Sequence, residues 1–221
     1  MELGHQGGWR FMTCPEANYL HSKRAIITLN PGGCRQPEPK WSMENGVSYF
    51  ENEPWDDCYE SDCHKKPQKR WGAGKHPLQL QVQLLAKELN WNLREIFSAQ
   101  FVPFCSPSWS DLHNKTETLK FCRRELWPWA LAKSPAKTII CIGKETGREI
   151  VSIAKAKLEK SFETGWRKSR GRGEITIDRY NTSDRIILIL PHLSTFAIFS
   201  SKEAEKAKKA LRAASIYAPV S

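Results

Sequence analysis

The chain has 221 residues, enough for one core of ordinary size, and its Lys+Arg 34 against Asp+Glu 24 leave a net charge of +10. That surplus favours polyanionic partners, nucleic acid first and acidic membrane surfaces second. No apolar run approaches the roughly 18 residues that a membrane-spanning helix needs, while nine Trp and nine Phe supply groups that stack on bases.

The polar, Gly-rich start through Gly8 is unlike a secretory signal, so a cytoplasmic location is expected. Seven Cys, an odd number with no small-scaffold framework, fit reduced thiols in that compartment. Residues 1–24 form a lead-in with loops at Gly7-Gly8-Trp9 and Cys14-Pro15 and one helical turn over Glu16 to Leu20. The run Ala25-Ile26-Ile27-Thr28-Leu29 is short, apolar and β-branched, the pattern of a fully buried strand. It ends in the breaker cluster Asn30-Pro31-Gly32-Gly33, which must leave the sheet in a turn. Asn30 then either bonds its own backbone, as Asn often does in turns, or serves a site at the strand's end.

From residue 34 to 77 the sequence carries several Pro and little periodicity, a long irregular insertion of the kind usually tied to function. Trp41, Tyr49, Phe50, Trp55, Tyr59 and Trp71 give it too many aromatics for a disordered segment. Leu78, Val82, Leu85 and Leu89 mark one face of a helix over 78–90. A second strand is expected over 96–104, and a helix over 116–133 that Pro128 kinks or divides. A third buried strand spans 138–142, and Gly143 turns the chain into a helix over 145–160. A basic, flexible loop surrounds Arg167, Lys168, Arg170 and Arg172. Residues 174–180 alternate like a strand at the sheet's edge, and 185–190 form the last strand, running into Pro191-His192-Leu193-Ser194. A final helix covers 200–214, its outer face laced with Glu and Lys.

Strands alternating with helices predict a single α/β domain over 1–221, a three-layer α/β/α sandwich with a mostly parallel central sheet. Parallel strands end on the same side, so Asn30 and His192 share one sheet edge and frame a candidate pocket. The remaining cluster with ligand character is Cys58, Cys63 and His64, which Cys14 and Cys34 can complete into a four-thiolate site. Its C-x4-C-H spacing matches none of the common zinc patterns, so no metal and no cofactor are expected.

The segment Thr28-Leu29-Asn30-Pro31-Gly32 resembles the first motif of the uracil-DNA glycosylase superfamily, closest to the Asn-Pro-Gly version of its mismatch-specific and single-strand-selective branches. Pro191-His192-Leu193-Ser194-Thr195-Phe196 is similar to the second, usually His-Pro-Ser followed by two residues ending in Leu. The resemblance covers residues 25–214 in architecture, with close matches confined to the motifs. It implies a monomeric glycosylase that flips a uracil-like or modified pyrimidine out of DNA and hydrolyses its glycosidic bond. It also implies roles. Asn30 orients the hydrolytic water, Pro31 and Gly32 approach the sugar and base, and His192 stabilises charge on the departing base. Ser194 contacts a phosphate, and Phe196 stands where the family places its Leu wedge. Tyr49 or Phe50 supplies an aromatic platform, and Gln100 reads the base edge where the family often uses Asn.

Breaking that bond builds negative charge on the base, so a preorganised donor at its oxygen is worth about 3 kcal/mol. Extruding the nucleotide costs a few kcal/mol, which an apolar wedge partly offsets. Of Phe196 and Phe199, one is expected to serve the last helix's core instead. Three departures bear on the substrate. Asn30 stands where the most active branch has Asp, Leu193 replaces the usual Pro, and Gln100 is one methylene longer than Asn. Together with the insertion they suit slow turnover and a rebuilt pocket, with a bulky modified cytosine of phage DNA among the candidates. Two rivals stay open: a non-catalytic DNA-binding module of the same fold, and a small-molecule nucleoside or nucleotide hydrolase.

Overall fold

A computed structural model describes residues 3–5, 9–30, 49–52, 55–56, 70–106, 109–167 and 173–216. In chain order the elements are α1 (Glu16–His21), β1 (Arg24–Thr28), α2 (Tyr49–Asn52), β2 (Trp55–Asp56), β3 (Arg70–Trp71) and α3 (Pro77–Glu88). They continue with β4 (Phe97–Gln100), α4 (Lys115–Phe121), α5 (Trp127–Lys133), β5 (Thr138–Ile142) and α6 (Lys144–Ala154). The chain closes with β6 (Lys157–Arg167), β7 (Glu174–Asn181), β8 (Ile186–Leu190) and α7 (Ala204–Ser215).

Six strands form one sheet in the order β4-β1-β5-β8-β7-β6, while β2 and β3 pair separately. The β4–β1, β1–β5 and β5–β8 pairings are parallel, and β8–β7 and β7–β6 are antiparallel. The fold is therefore α/β with a mostly parallel open sheet, as the alternation of strands and helices predicts.

Every residue of β8 is buried, and β1 and β5 are buried but for their first residues, because helices cover both faces. On one face Ile26, Ile140, Leu188 and Leu190 pack with Val82 and Leu85 of α3 and Ala207 and Leu211 of α7. On the other, Ile27, Phe97, Ile139 and Ile187 pack with Tyr19 of α1, Trp127 and Ala130 of α5 and Ile150 of α6. Each such aliphatic side chain, withdrawn from water, contributes about 1.5–3 kcal/mol before ordering costs. The outer edge of β4 is covered by residues 9–13, which run antiparallel to it through bonds such as Gln100 N–H to Phe11 O and Thr13 N–H to Ser98 O.

Several boundaries move. The helix expected to reach Lys160 stops at Ala154, where Lys155 takes a left-handed conformation, and the next residues enter β6. The Lys- and Glu-rich composition favours helix locally, but pairing with β7 overrides it. The basic stretch is accordingly not all loop, since Trp166 and Arg167 close this strand. β7 lies inside the sheet rather than at its edge, and β6 takes the edge. The second strand is only four residues long, although backbone bonds from Phe101 N–H to Thr28 O and Val102 N–H to Leu29 O carry its pairing further. The last helix starts at Ala204.

Pro128 does not divide its helix. Residues Cys122–Leu126 widen into a π-helical turn, with the Trp127 N–H bonding the Cys122 carbonyl, so helical residues run without a gap from α4 into α5. A proline has no N–H for the carbonyl four residues back and collides with it, and the wider turn relieves both problems.

Candidate active site

β1, β5 and β8 are parallel neighbours, so the turns after β1 and β8 leave the sheet on one side. Asn30 follows β1 by two residues and His192 follows β8 by two. The two strands flank β5, which sets their ends about 10 Å apart at ordinary strand spacing. β4 also ends here, and Gln100 at its last position pairs in register with Thr28. β6, antiparallel to β7 as β7 is to β8, likewise ends on this side at Arg167. Asn30, Gln100, His192 and Arg167 thus come off the same edge.

The Asn30 side chain is half-buried, and its Nδ2 donates to the Ser106 hydroxyl at 2.9 Å. Ser106 is itself buried, in the segment that follows β4 alongside the end of β1. Gln100 is buried as well, and its Oε1 accepts from the Thr28 hydroxyl at 2.5 Å.

His192 lies in a tight turn in which its carbonyl accepts from the N–H groups of both Thr195 and Phe196 at 3.0 Å. Its ring keeps solvent-accessible surface, yet the protein around it removes enough water to push the imidazole pKa below 6.5, against an opposing pull from Glu145. The Ser194 hydroxyl sits 2.8 Å from Nδ1. A hydroxyl donating there leaves Nε2 as the protonated nitrogen. Between the two polar turns Gly143, with φ +98°, opens α6, and a Cβ at that position would lie 3.6 Å from His192 Cδ2. The Thr146 hydroxyl, buried one helical turn on, lies 4.0 Å from the same point and has no hydrogen-bond partner.

Phe199 belongs to the core, whereas Phe196 is half-buried and meets the Trp166 ring edge-on at 6.4 Å. The Trp166 indole N–H donates to Ser201 at 2.8 Å, tying the end of β6 to the residues after the His192 turn. Gln81 of α3 fastens the same residues from below, accepting from the Phe199 N–H and donating to the Ser200 hydroxyl. A largely apolar groove lined by Leu80, Leu84, Leu193 and Ala197 runs between α3 and this turn.

Tyr49 and Phe50, the first two residues of α2, are both buried. The Arg10 guanidinium covers one face of the Tyr49 ring at 5.0 Å, and Phe50 packs into the core with α3. Arg167 is exposed. Pro31, Gly32, Cys58, Cys63, His64, Lys168, Arg170 and Arg172 lie outside the described residues. Among the described residues no group of His, Cys, Asp and Glu has the makings of a metal site, and no helix is long and apolar enough to cross a membrane. Cys14 is a buried thiol with its pKa pushed up to about 11, its sulfur accepting from the Ser98 N–H.

Sequence reading put Thr28 in the first motif and Gly143 at a helix start without giving either a role, and singled out neither Ser106 nor Thr146. Each is a small residue whose neighbours at this edge come from strand register or a helix start rather than from its own stretch of sequence. Compared with family models and with curated proteins, the chain matches none.

Proposed function

We propose that the protein is a monofunctional DNA glycosylase of the uracil-DNA glycosylase type. It extrudes a uracil-like or modified pyrimidine nucleotide and hydrolyses the bond between base and sugar. The observation that carries this reading is the placement of Asn30 and His192 after two parallel strands, on one edge and either side of β5. An amide and an imidazole held that way suit the two ends of the bond to be broken. Asn30 Oδ1 accepts from a water and aims its oxygen at the sugar carbon, where positive charge grows. His192 Nε2–H donates to the base oxygen, where negative charge grows. The depressed imidazole pKa favours the neutral ring at pH 7, and the Ser194 hydroxyl beside Nδ1 matches the tautomer this needs when it donates there.

An amide is no base, so the water is positioned rather than deprotonated, which suits a slow enzyme or a base that leaves readily. Phe196, half-exposed beside Trp166, has the size and place of a wedge that fills the gap left by the extruded base. Exposed Arg167 at the same edge suits a DNA phosphate.

The test is an abasic-site assay on single- and double-stranded oligonucleotides carrying uracil, thymine mispairs, 5-hydroxymethyl and glucosylated pyrimidines. Alkali-labile breaks at one of these bases are expected from the wild type and not from Asn30→Ala, which should keep its DNA affinity. Breaks no more frequent than the Asn30→Ala background on every substrate would remove the glycosylase assignment. Retained, salt-dependent DNA binding would then leave the non-catalytic module standing.

A further inference from the structure

We infer that Trp9 is a stacking platform for an unpaired DNA base on the flank of the target nucleotide, outside the pocket framed by Asn30 and His192; this rests on the DNA-binding part of the reading above. Residues 9–13 line the outer edge of β4, and Trp9 pairs there with Phe104, four residues past the end of β4. Phe104 lies two residues beyond Val102, whose N–H bonds the Leu29 carbonyl at 2.7 Å. The indole therefore stands at the carboxyl edge of the sheet, about 10 Å to the side of the turn that carries Asn30 at ordinary strand spacing. Trp9 and Arg167 then mark the two ends of one edge, with Asn30 and His192 between them.

The Trp9 ring is held without being covered. Phe104 meets it edge-on with centroids 5.2 Å apart, Phe121 does so at 6.2 Å, and Phe11 lies tilted at 6.4 Å. His5 stacks on Phe104 at 3.8 Å and so steadies the ring that supports Trp9. Among the described residues no ring lies parallel to Trp9, no cation sits over it and no group accepts from its N–H. It keeps 44 % of its surface exposed. The other described tryptophans at comparable places are occupied. Trp127 and Trp166 donate to the Phe101 carbonyl and the Ser201 hydroxyl, while exposed Trp129 is stacked by Tyr19 and carries Lys133.

An open indole face accepts a nucleobase of any sequence, because every base has a π-face. A base inside a duplex has both faces covered by its neighbours, so this platform fits a strand that is single at that point. The net charge of +10 suits the phosphates of such a strand. Exposed Arg124, three residues after Phe121, forms no ion pair among the described residues, whereas Lys120 and Arg123 are paired with Glu117 and Glu149. A strand rising roughly 3.4 Å per nucleotide covers the distance from Asn30 to Trp9 in about three nucleotides, fewer where it is stretched.

Affinity for a single-stranded oligonucleotide and for its duplex, followed by fluorescence anisotropy in Trp9→Ala and Trp9→Phe, gives the test. Trp9→Ala is expected to weaken single-strand binding about 10-fold, within the range that stacking of one base supplies, with duplex affinity and melting temperature close to wild type. Trp9→Phe, which keeps an aromatic face, should retain most of the single-strand affinity. With 2-aminopurines in the single strand, the wild type should quench their fluorescence by stacking, and Trp9→Ala should quench it less. A single-strand affinity of Trp9→Ala within about twofold of wild type overturns the inference, as does an equal loss on duplex or unchanged quenching. A Trp9→Ala protein that keeps its DNA affinity and loses self-association assigns the ring to a protein contact instead. A wild type that binds neither form of DNA overturns the reading on which the platform rests. One that binds single strands through Trp9 and excises no base keeps the platform and loses the glycosylase assignment.

Discussion

His192 is poised by its partial burial and by Ser194, which favour the same form of the ring against the pull of Glu145. Partial burial disfavours its charged form, and a Ser194 hydroxyl beside Nδ1 suits the neutral ring with its proton on Nε2. Protonating Nδ1 would turn that bond round, the ring donating to Ser194, and replace the neutral ring with a charged one. The excision rate should therefore be flat at neutral pH and fall as pH drops through the folded-state pKa, with a midpoint below 6.5, in a single-turnover pH profile. His192→Gln should lower the plateau about 100- to 1000-fold and remove that acid limb. At this scale the sequence was legible where a polar residue closes a strongly apolar strand, which is why Asn30 and His192 stood out. Ser106 and Thr28 were not, because a lone Ser or Thr in an irregular or strand-terminal position has no pattern until strand register gives it a neighbour. Nor does sequence alone tell that Phe199 goes to the core while Phe196 stays half-exposed, since both sit in one short run.

Elements hold the site through a few close contacts. α6 reaches the edge only because Gly147 lets it lie against β8, where a methyl would come within 2.6 Å of three Ile189 carbons. Ile189 is a buried strand residue with little room to yield, so Gly147→Ala should destabilise the fold by about 1–3 kcal/mol, measurable by urea unfolding. The paired bonds of Gln81 to Phe199 and Ser200 hold the residues after the His192 turn onto α3. Gln81→Ala leaves the buried Phe199 N–H without that acceptor. It should cost about 1–3 kcal/mol in the same measurement and loosen the segment to proteolysis. Helices and buried strands announced themselves through apolar spacing, and β5 falls where its apolar run lies. The β6–β7 hairpin was legible only in β7, whose alternation marks it as a strand. Its first strand is mostly exposed and rich in Lys and Glu, so its shape comes from the pairing rather than from its own residues.

The whole molecule carries its basic surplus on a fold whose functional edge also ends β6 at exposed Arg167. If that edge grips DNA, the logarithm of affinity should fall linearly with the logarithm of salt concentration, and Arg167→Ala should flatten the slope by about one in fluorescence anisotropy. A hydrolase for free nucleosides would show no such slope.

The insertion that follows Asn30 also has a consequence at this scale. The chain is fastened just before residues 31–48 by the Asn30–Ser106 bond. It is fastened again just after them, where the side-chain amides of Gln79 and Gln83 in α3 donate to the carbonyls of Tyr49 and Phe50. Between two such fixed points a change in the number of residues costs little, since doubling a loop's length adds only about 0.6 kcal/mol to its closure. Insertions after Gly33 can then leave Asn30, bonded to Ser106 from its own side, where it stands.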